Sequence, residues 1–116
     1  MNQVIDKTEW PAFLKSYGSR NAGRPTRLGV FGTNDGVTDD YWLEDGLPLV
    51  GLDVAPKGGR TEVEIFLESF THSIADATGL VSIEDEGKEQ GIDIAGADGK
   101  TTVMRFETWP SKIENH

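Results

Sequence analysis

The chain changes its hydrophobic period once. Trp10, Phe13, Leu14 and Tyr17 stand at i, i+3, i+4 and i+7, so one stripe of a 3.6-residue helix carries all four. Asp6 with Glu9, or Thr8 alone, can cap its start. Pro11 is tolerated in a first turn, where its missing N–H has no helical partner. Gly18 weakens the last turn, and Gly23 followed by Pro25 ends the helix. After Pro25 the period is two. In 60–68, Val63, Ile65 and Leu67 alternate with Glu62, Glu64, Phe66 and Glu68, the signature of a strand with one buried and one wet face. Shorter runs at 27–33, 38–43, 48–54, 70–75, 80–84, 91–95 and 101–107 behave alike.

Turn signals separate these runs. Asn34-Asp35-Gly36, Asp45-Gly46, Gly58-Gly59, Thr78-Gly79, Glu86-Gly87 and Asp98-Gly99 each offer a glycine where a tight connection needs positive φ. Strands joined this closely are antiparallel, because a parallel crossover takes about a dozen residues or more. The expected fold is therefore α+β. One N-terminal amphipathic helix packs on an antiparallel meander of about seven or eight short strands, with room to curl toward a barrel. A single domain over 1–108 and a frayed tail over 109–116 are expected.

Composition narrows the chemistry. The chain has 116 residues, 20 acidic and 11 basic, a formal charge of −9 and no cysteine. Thiol nucleophiles, disulfides and cysteine-based zinc sites are excluded. The negative balance argues against holding a nucleic-acid backbone by global attraction. Val4 and Ile5 are the one aliphatic pair in residues 1–10, too little for a signal peptide or a membrane span, so the expected compartment is the cytoplasm. Residues 1–27 hold five basic and two acidic side chains, whereas 28–56 hold six acids and no base.

Trp10-Pro11-Ala12-Phe13 at a helix start, then Gly23-Arg24-Pro25, Leu47-Pro48-Leu49 and His72-Ser73-Ile74, follow one another along the chain. Asp98-Gly99-Lys100-Thr101-Thr102 and Arg105-Phe106 close the series. In this order the motifs resemble a family of short bacterial proteins of unknown function. The resemblance implies one domain and brings no activity; residues 35–46 match no part of it.

Four groups of residues are candidates for function. Asp35, Asp39, Asp40, Glu44 and Asp45 could converge on a hard cation, but their spacing is not that of an EF-hand loop. Turn chemistry and edge protection explain them without a metal, and none is expected. His72 could act as a base, with Glu68, Ser69, Ser73 and Asp76 near it in sequence, yet strand neighbours alternate faces. Arg20, Arg24 and Arg27 gather at the helix end, where they could take an anion or a partner's carboxylate, or simply oppose the helix dipole. Trp42 and Phe66 fall on wet sheet positions with Glu62 and Glu64, a pattern that can mark a contact surface.

The expectation is a small acidic non-catalytic binding or protein-interaction domain that uses its outer sheet face. Trp42, Phe66, Glu62, Glu64 and His72 are its binding candidates, and no cofactor is expected. Its partner would be a protein or a second copy of the chain, with no nucleic acid and no membrane. The alternatives are an acidic mimic that occupies a nucleic-acid-binding protein, and a small hydrolase using His72 with a carboxylate.

Overall fold

The computed structural model describes residues 1–34 and 37–107, with side chains described outside 33–41. Asp6 accepts a hydrogen bond from the Thr8 amide at 3.2 Å and opens a 3₁₀ turn over Lys7–Glu9. That turn leads into helix α1, Trp10–Arg20, with Pro11 in its first turn. At the other end Asn21 caps twice, since its backbone N–H and its Nδ2 both donate to the Tyr17 carbonyl, at 3.1 and 3.0 Å. Trp10, Leu14 and Tyr17 are buried and Phe13 packs beside them, as the apolar stripe requires.

Eight strands follow the order β1 (Asn2–Val4), β2 (Pro25–Asn34), β3 (Val37–Lys57), β4 (Arg60–Leu67), β5 (Phe70–Ile74), β6 (Ala77–Asp85), β7 (Lys88–Gly96) and β8 (Lys100–Phe106). Every pairing is antiparallel, and the spatial order is β1-β6-β7-β8-β2-β3-β4-β5. Two meanders, β2 to β5 and β6 to β8, are thus joined where β8 lies beside β2. The sheet does not close into a barrel, for β1 and β5 remain its two edges.

Two of the expected turns are instead irregularities inside strands. Asp45-Gly46 does not end a strand; 38–43 and 48–54 belong to the single long strand β3. Asp45 pairs with Arg27 and Leu47 with Thr26, leaving Gly46 as an extra residue at φ +101°. A bulge of this kind absorbs the residue and bends the strand while keeping it paired. Thr78-Gly79 likewise falls within β6 at a register shift, and the connection from β5 comes earlier, at 75–76. By contrast, Gly58-Gly59 and Glu86-Gly87 form two-residue hairpins with positive φ at both positions, as the primed turns require. Strand β1 was not legible in the pattern, because its three residues are all exposed. It is held by backbone pairing with β6, continued by Ile5 N–H to the Leu80 carbonyl at 2.9 Å.

The first half of β3 pairs with β2 and the second half with β4, so one strand belongs to two leaves of the folded sheet. The inner faces meet in one core. Leu49, Leu52, Val63, Ile65, Leu67 and Ile74 come from one leaf, and Leu28, Leu80, Ile92, Ile94, Met104 and Phe106 from the other. Helix α1 straps the two together. Gly18 lies against β3, where a Cβ would come within 3.0 Å of the Leu52 nitrogen. Tyr17 stacks on Phe106 of β8 at 6.1 Å. Glycine at position 18 thus weakens the helix locally and in return lets its backbone reach the sheet.

Gly18→Val should therefore cost about 1–3 kcal/mol by overpacking. Gly51→Ala, next to the same contact but with no atom within 4 Å of its added Cβ, should stay within about 0.5 kcal/mol. Urea unfolding of both variants checks this; equal losses would refute the close approach.

Candidate functional site

Strand alternation places His72 on the inner face. It pairs with Ile65, which is wholly buried, whereas Glu64 and Phe66 on either side of Ile65 point outward. The His72 ring crosses to the other leaf, where its Nε2 lies 3.2 Å from the hydroxyl of Thr102 on β8. Burial pushes the imidazole below its ordinary value of 6.5, since charging it would cost hydration.

The two leaves diverge beside this contact and leave a cleft of about 320 Å³. Buried Val30 and Ile74 form its apolar wall, and His72 with Thr102 its polar base. Asp76, Asp98 and Lys100 line the mouth. The turn after β5 and the hairpin between β7 and β8 are stapled there by the Ala97 N–H to the Asp76 carbonyl, at 2.9 Å. Asp98 Oδ1 accepts the Lys100 N–H at 3.0 Å, which fixes the hairpin tip. Ser73 also borders the cleft, but its hydroxyl donates to Glu64 on the outer face at 3.3 Å.

The five residues expected to form one binding surface are not all brought together: Glu62, Glu64 and Phe66 share the outward face of β4. His72 is separated from the others by the thickness of the sheet. Glu62 pairs with Lys57 at 3.0 Å, Glu64 takes the Ser73 hydroxyl, and Phe66 is half-buried opposite Gly51 and Thr71. Trp42 lies nine residues before Gly51 on β3, over Gly29 of β2. The ring fills the place of the missing side chain, its edge 2.7 Å from where a Cβ would stand. It meets Phe31 edge-on at 5.2 Å and carries the Arg27 guanidinium at 4.1 Å, yet stays 42% exposed.

The three arginines are engaged within the chain. Arg20 pairs with Glu89 of β7 at 2.5 Å. Arg24 donates to the Asn21 side chain at 2.9 Å and to the Glu89 carbonyl at 3.0 Å, and lies 4.1 Å over the Phe106 ring. Burial alone would raise Glu89, but hydrogen bonds from Arg20 and Asn21 and the charges of both arginines outweigh it, leaving the carboxyl below its usual range. Beneath them the Tyr17 hydroxyl is buried, and its pKa is pushed upward first by that burial and then by Glu89. Arg27 lies 3.5 Å from Asp45. Of the acidic stretch, Asp35 and the side chains of Asp39 and Asp40 lie outside the described residues, as does the expected tail at 109–116. Among the described residues no three His, Asp or Glu side chains stand where they could hold a metal ion. No described helix is long and apolar enough to cross a membrane.

The cleft itself was not readable from sequence. His72 and Asp76 are close in sequence, but Asp98, Lys100 and Thr102 are far from them along the chain, and only the folding of β5 over β8 unites the two groups. The one available signal was His72 alternating in step with buried Ile74.

A family model, "Family of unknown function (DUF5335)", matches residues 1–116. No curated protein matches. Among solved structures, the YojF protein of Bacillus subtilis is similar, with a TM-score of 0.52 and 15% identity over 91% of this chain and 93% of that one. At that identity the likeness concerns the fold alone.

The lowered His72 value makes a pH test. The unfolded chain takes up the histidine proton first as pH falls through 6.5. Stability is therefore lost from there downward, until the native imidazole is protonated too. In urea unfolding at stepped pH, wild type should lose stability over this window relative to His72→Gln. Parallel curves would mean that His72 is as well solvated folded as unfolded.

Proposed function

We propose that this chain, which belongs to the DUF5335 family of unknown function, is a non-catalytic binding domain whose ligand enters the His72 cleft. The observation that carries this reading is the cleft: a concave space between two leaves, with an apolar wall and a few convergent polar groups, the usual make-up of a small-molecule site. Binding is favoured over hydrolysis by the partners of the polar groups. His72 is bridged to a threonine, and the hydroxyls on either side of it in its own strand, Thr71 and Ser73, fall on the opposite face. A nucleophile, a base and an orienting carboxylate in series would be needed for the alternative.

A second reading, docking of a protein on the outer face, is favoured by Trp42, whose ring is held rigid by Arg27 and Phe31 and remains partly open. Trp42→Ala should then abolish capture of that protein without unfolding the chain.

The cleft reading is checked by a thermal-shift screen of small polar molecules against wild type and Ala97→Trp. Ala97 is exposed at the cleft mouth, so the indole fills the space without entering the core. Stabilisers should add about 2.7 kcal/mol to the stability of wild type at roughly 100 times Kd and so raise its Tm, and should fail on the filled variant. Equal stabilisation of both proteins would place binding elsewhere.

A further inference from the structure

We propose that the free edge of β5 takes an extended peptide as an added antiparallel strand, with a basic side chain of that peptide entering the His72 cleft. This rests on the reading of the cleft as the binding site and names the kind of ligand. The backbone comes first. Strands β4 and β5 are joined by a two-residue turn at 68–69, closed by Leu67 opposite Phe70. The closing pair of such a hairpin is hydrogen-bonded, and bonded pairs alternate from there. Phe70, His72 and Ile74 therefore bond inward to β4, and Thr71 and Ser73 turn their N–H and C=O groups to the open side. The β3–β4 hairpin has the same phase. Lys57 opposite Arg60 closes it, so Glu64 and Phe66 bond to β3, leaving Val63, Ile65 and Leu67 for β5.

Among the described residues nothing bonds to the Thr71 or Ser73 main chain from the open side, and both residues are exposed. This edge is also undefended. Exposed edges are normally blunted by charge, proline, a bulge or extreme shortness. The other edge, β1, has only three residues. β5 has five, with no Asp, Glu, Lys, Arg or Pro among them and no register shift against β4. Added strands draw affinity from such main-chain groups and specificity from pockets for alternate side chains.

The cleft runs along the same edge. Ser73 borders it although its hydroxyl is turned to Glu64 on the outer face, so main chain is what Ser73 presents there. In an added strand the residue opposite Ser73 points outward and the next, opposite Ile74, points inward. That second side chain enters the cleft between Ile74 and Val30. At the mouth Asp76 is half-buried, and its carboxylate has no hydrogen bond or ion pair among the described residues. Asp98 shares the mouth, and Lys100 is already engaged within the protein. A lysine or arginine stem can lie on Val30 and Ile74 while its head reaches Asp76. A second copy of this chain fits less well: its β5 brings no such cation, and its charge of −9 adds repulsion.

The test is an amide NMR titration of the full chain with blocked pentapeptides. The probes are Thr-Val-Lys-Val-Thr, its Glu counterpart, and two forms of the Lys peptide N-methylated on the backbone, at Lys or at both Val residues. The Lys peptide should shift the Thr71 and Ser73 amides with a Kd on the order of 0.1–1 mM. Methylation at both valines, whose N–H groups face β5, should weaken it at least roughly tenfold; methylation at lysine, whose N–H faces away, by less than about threefold. The Glu peptide should bind at least roughly tenfold more weakly, and so should the Lys peptide to Asp76→Asn, which keeps the main-chain carbonyl that Ala97 uses.

Equal binding of the two methylated peptides would overturn strand addition; if Ala97→Trp still abolishes their binding, the cleft reading stands. Equal binding of the Glu peptide, or of the Lys peptide to Asp76→Asn, would overturn the basic side chain. Edge shifts with undiminished affinity on Ala97→Trp would overturn the cleft reading and the proposal together. Edge shifts that grow with protein concentration in the absence of peptide would assign β5 to a second copy and overturn the proposal. No shift at Thr71 or Ser73 with about 5 mM Lys peptide would overturn it as well, while the thermal-shift screen separately decides the cleft.

Discussion

Continuity of β3 is the constraint on which the rest of the molecule depends. Its 21 residues serve β2 with one half and β4 with the other, so the two leaves cannot drift apart without breaking a strand. The bulge at Gly46 lets the strand change direction while its pairing continues, as inserted residues in sheets commonly do. Folding the sheet on itself brings the buried residues of both leaves into one core. It also sets the two places where the leaves must be finished: the end strapped by α1 and the end left open at His72.

At the strapped end, chemistry and packing reinforce each other. Gly18 gives the helix its approach to β3, and Tyr17 reaches Phe106 on the other leaf. Arg20, Asn21 and Arg24 then converge on Glu89 of β7. This half-buried carboxylate gathers several donors, which offsets the hydration it loses. The open end is built differently. One histidine–threonine contact spans the leaves, and beside it the apolar wall meets charged turns rather than a helix. A fold finished tightly at one end and polar at the other is well placed to receive a ligand at the second.

Much of this architecture was legible. The stripe Trp10, Phe13, Leu14 and Tyr17 marked the helix, and alternation around Val63, Ile65 and Leu67 marked the strand and its buried face, because both periods report burial directly. Gly58-Gly59 and Glu86-Gly87 marked hairpins because their φ demand is local. Asp45-Gly46 misled for the same reason: positive φ serves a bulge as well as a turn, and only the partner strand decides between them. His72 was expected beside the outer-face residues Trp42, Phe66, Glu62 and Glu64, although its spacing to buried Ile74 marks the inner face. The cleft was not legible either, since it depends on which strands meet across the core, and no local period encodes β8 lying beside β2.

That seam has a kinetic meaning. β2 to β5 and β6 to β8 are each built from neighbours in sequence, whereas β2 pairs with β8 across about two thirds of the chain, Thr26 opposite Phe106. Ordering so long a loop carries an entropic cost before its contacts reward it. The two halves can therefore zip early as independent hairpin stacks, while the seam that merges them waits as the late, rate-setting event. Until it forms, β2 and β8 expose unsatisfied edges that other unfinished chains could pair with.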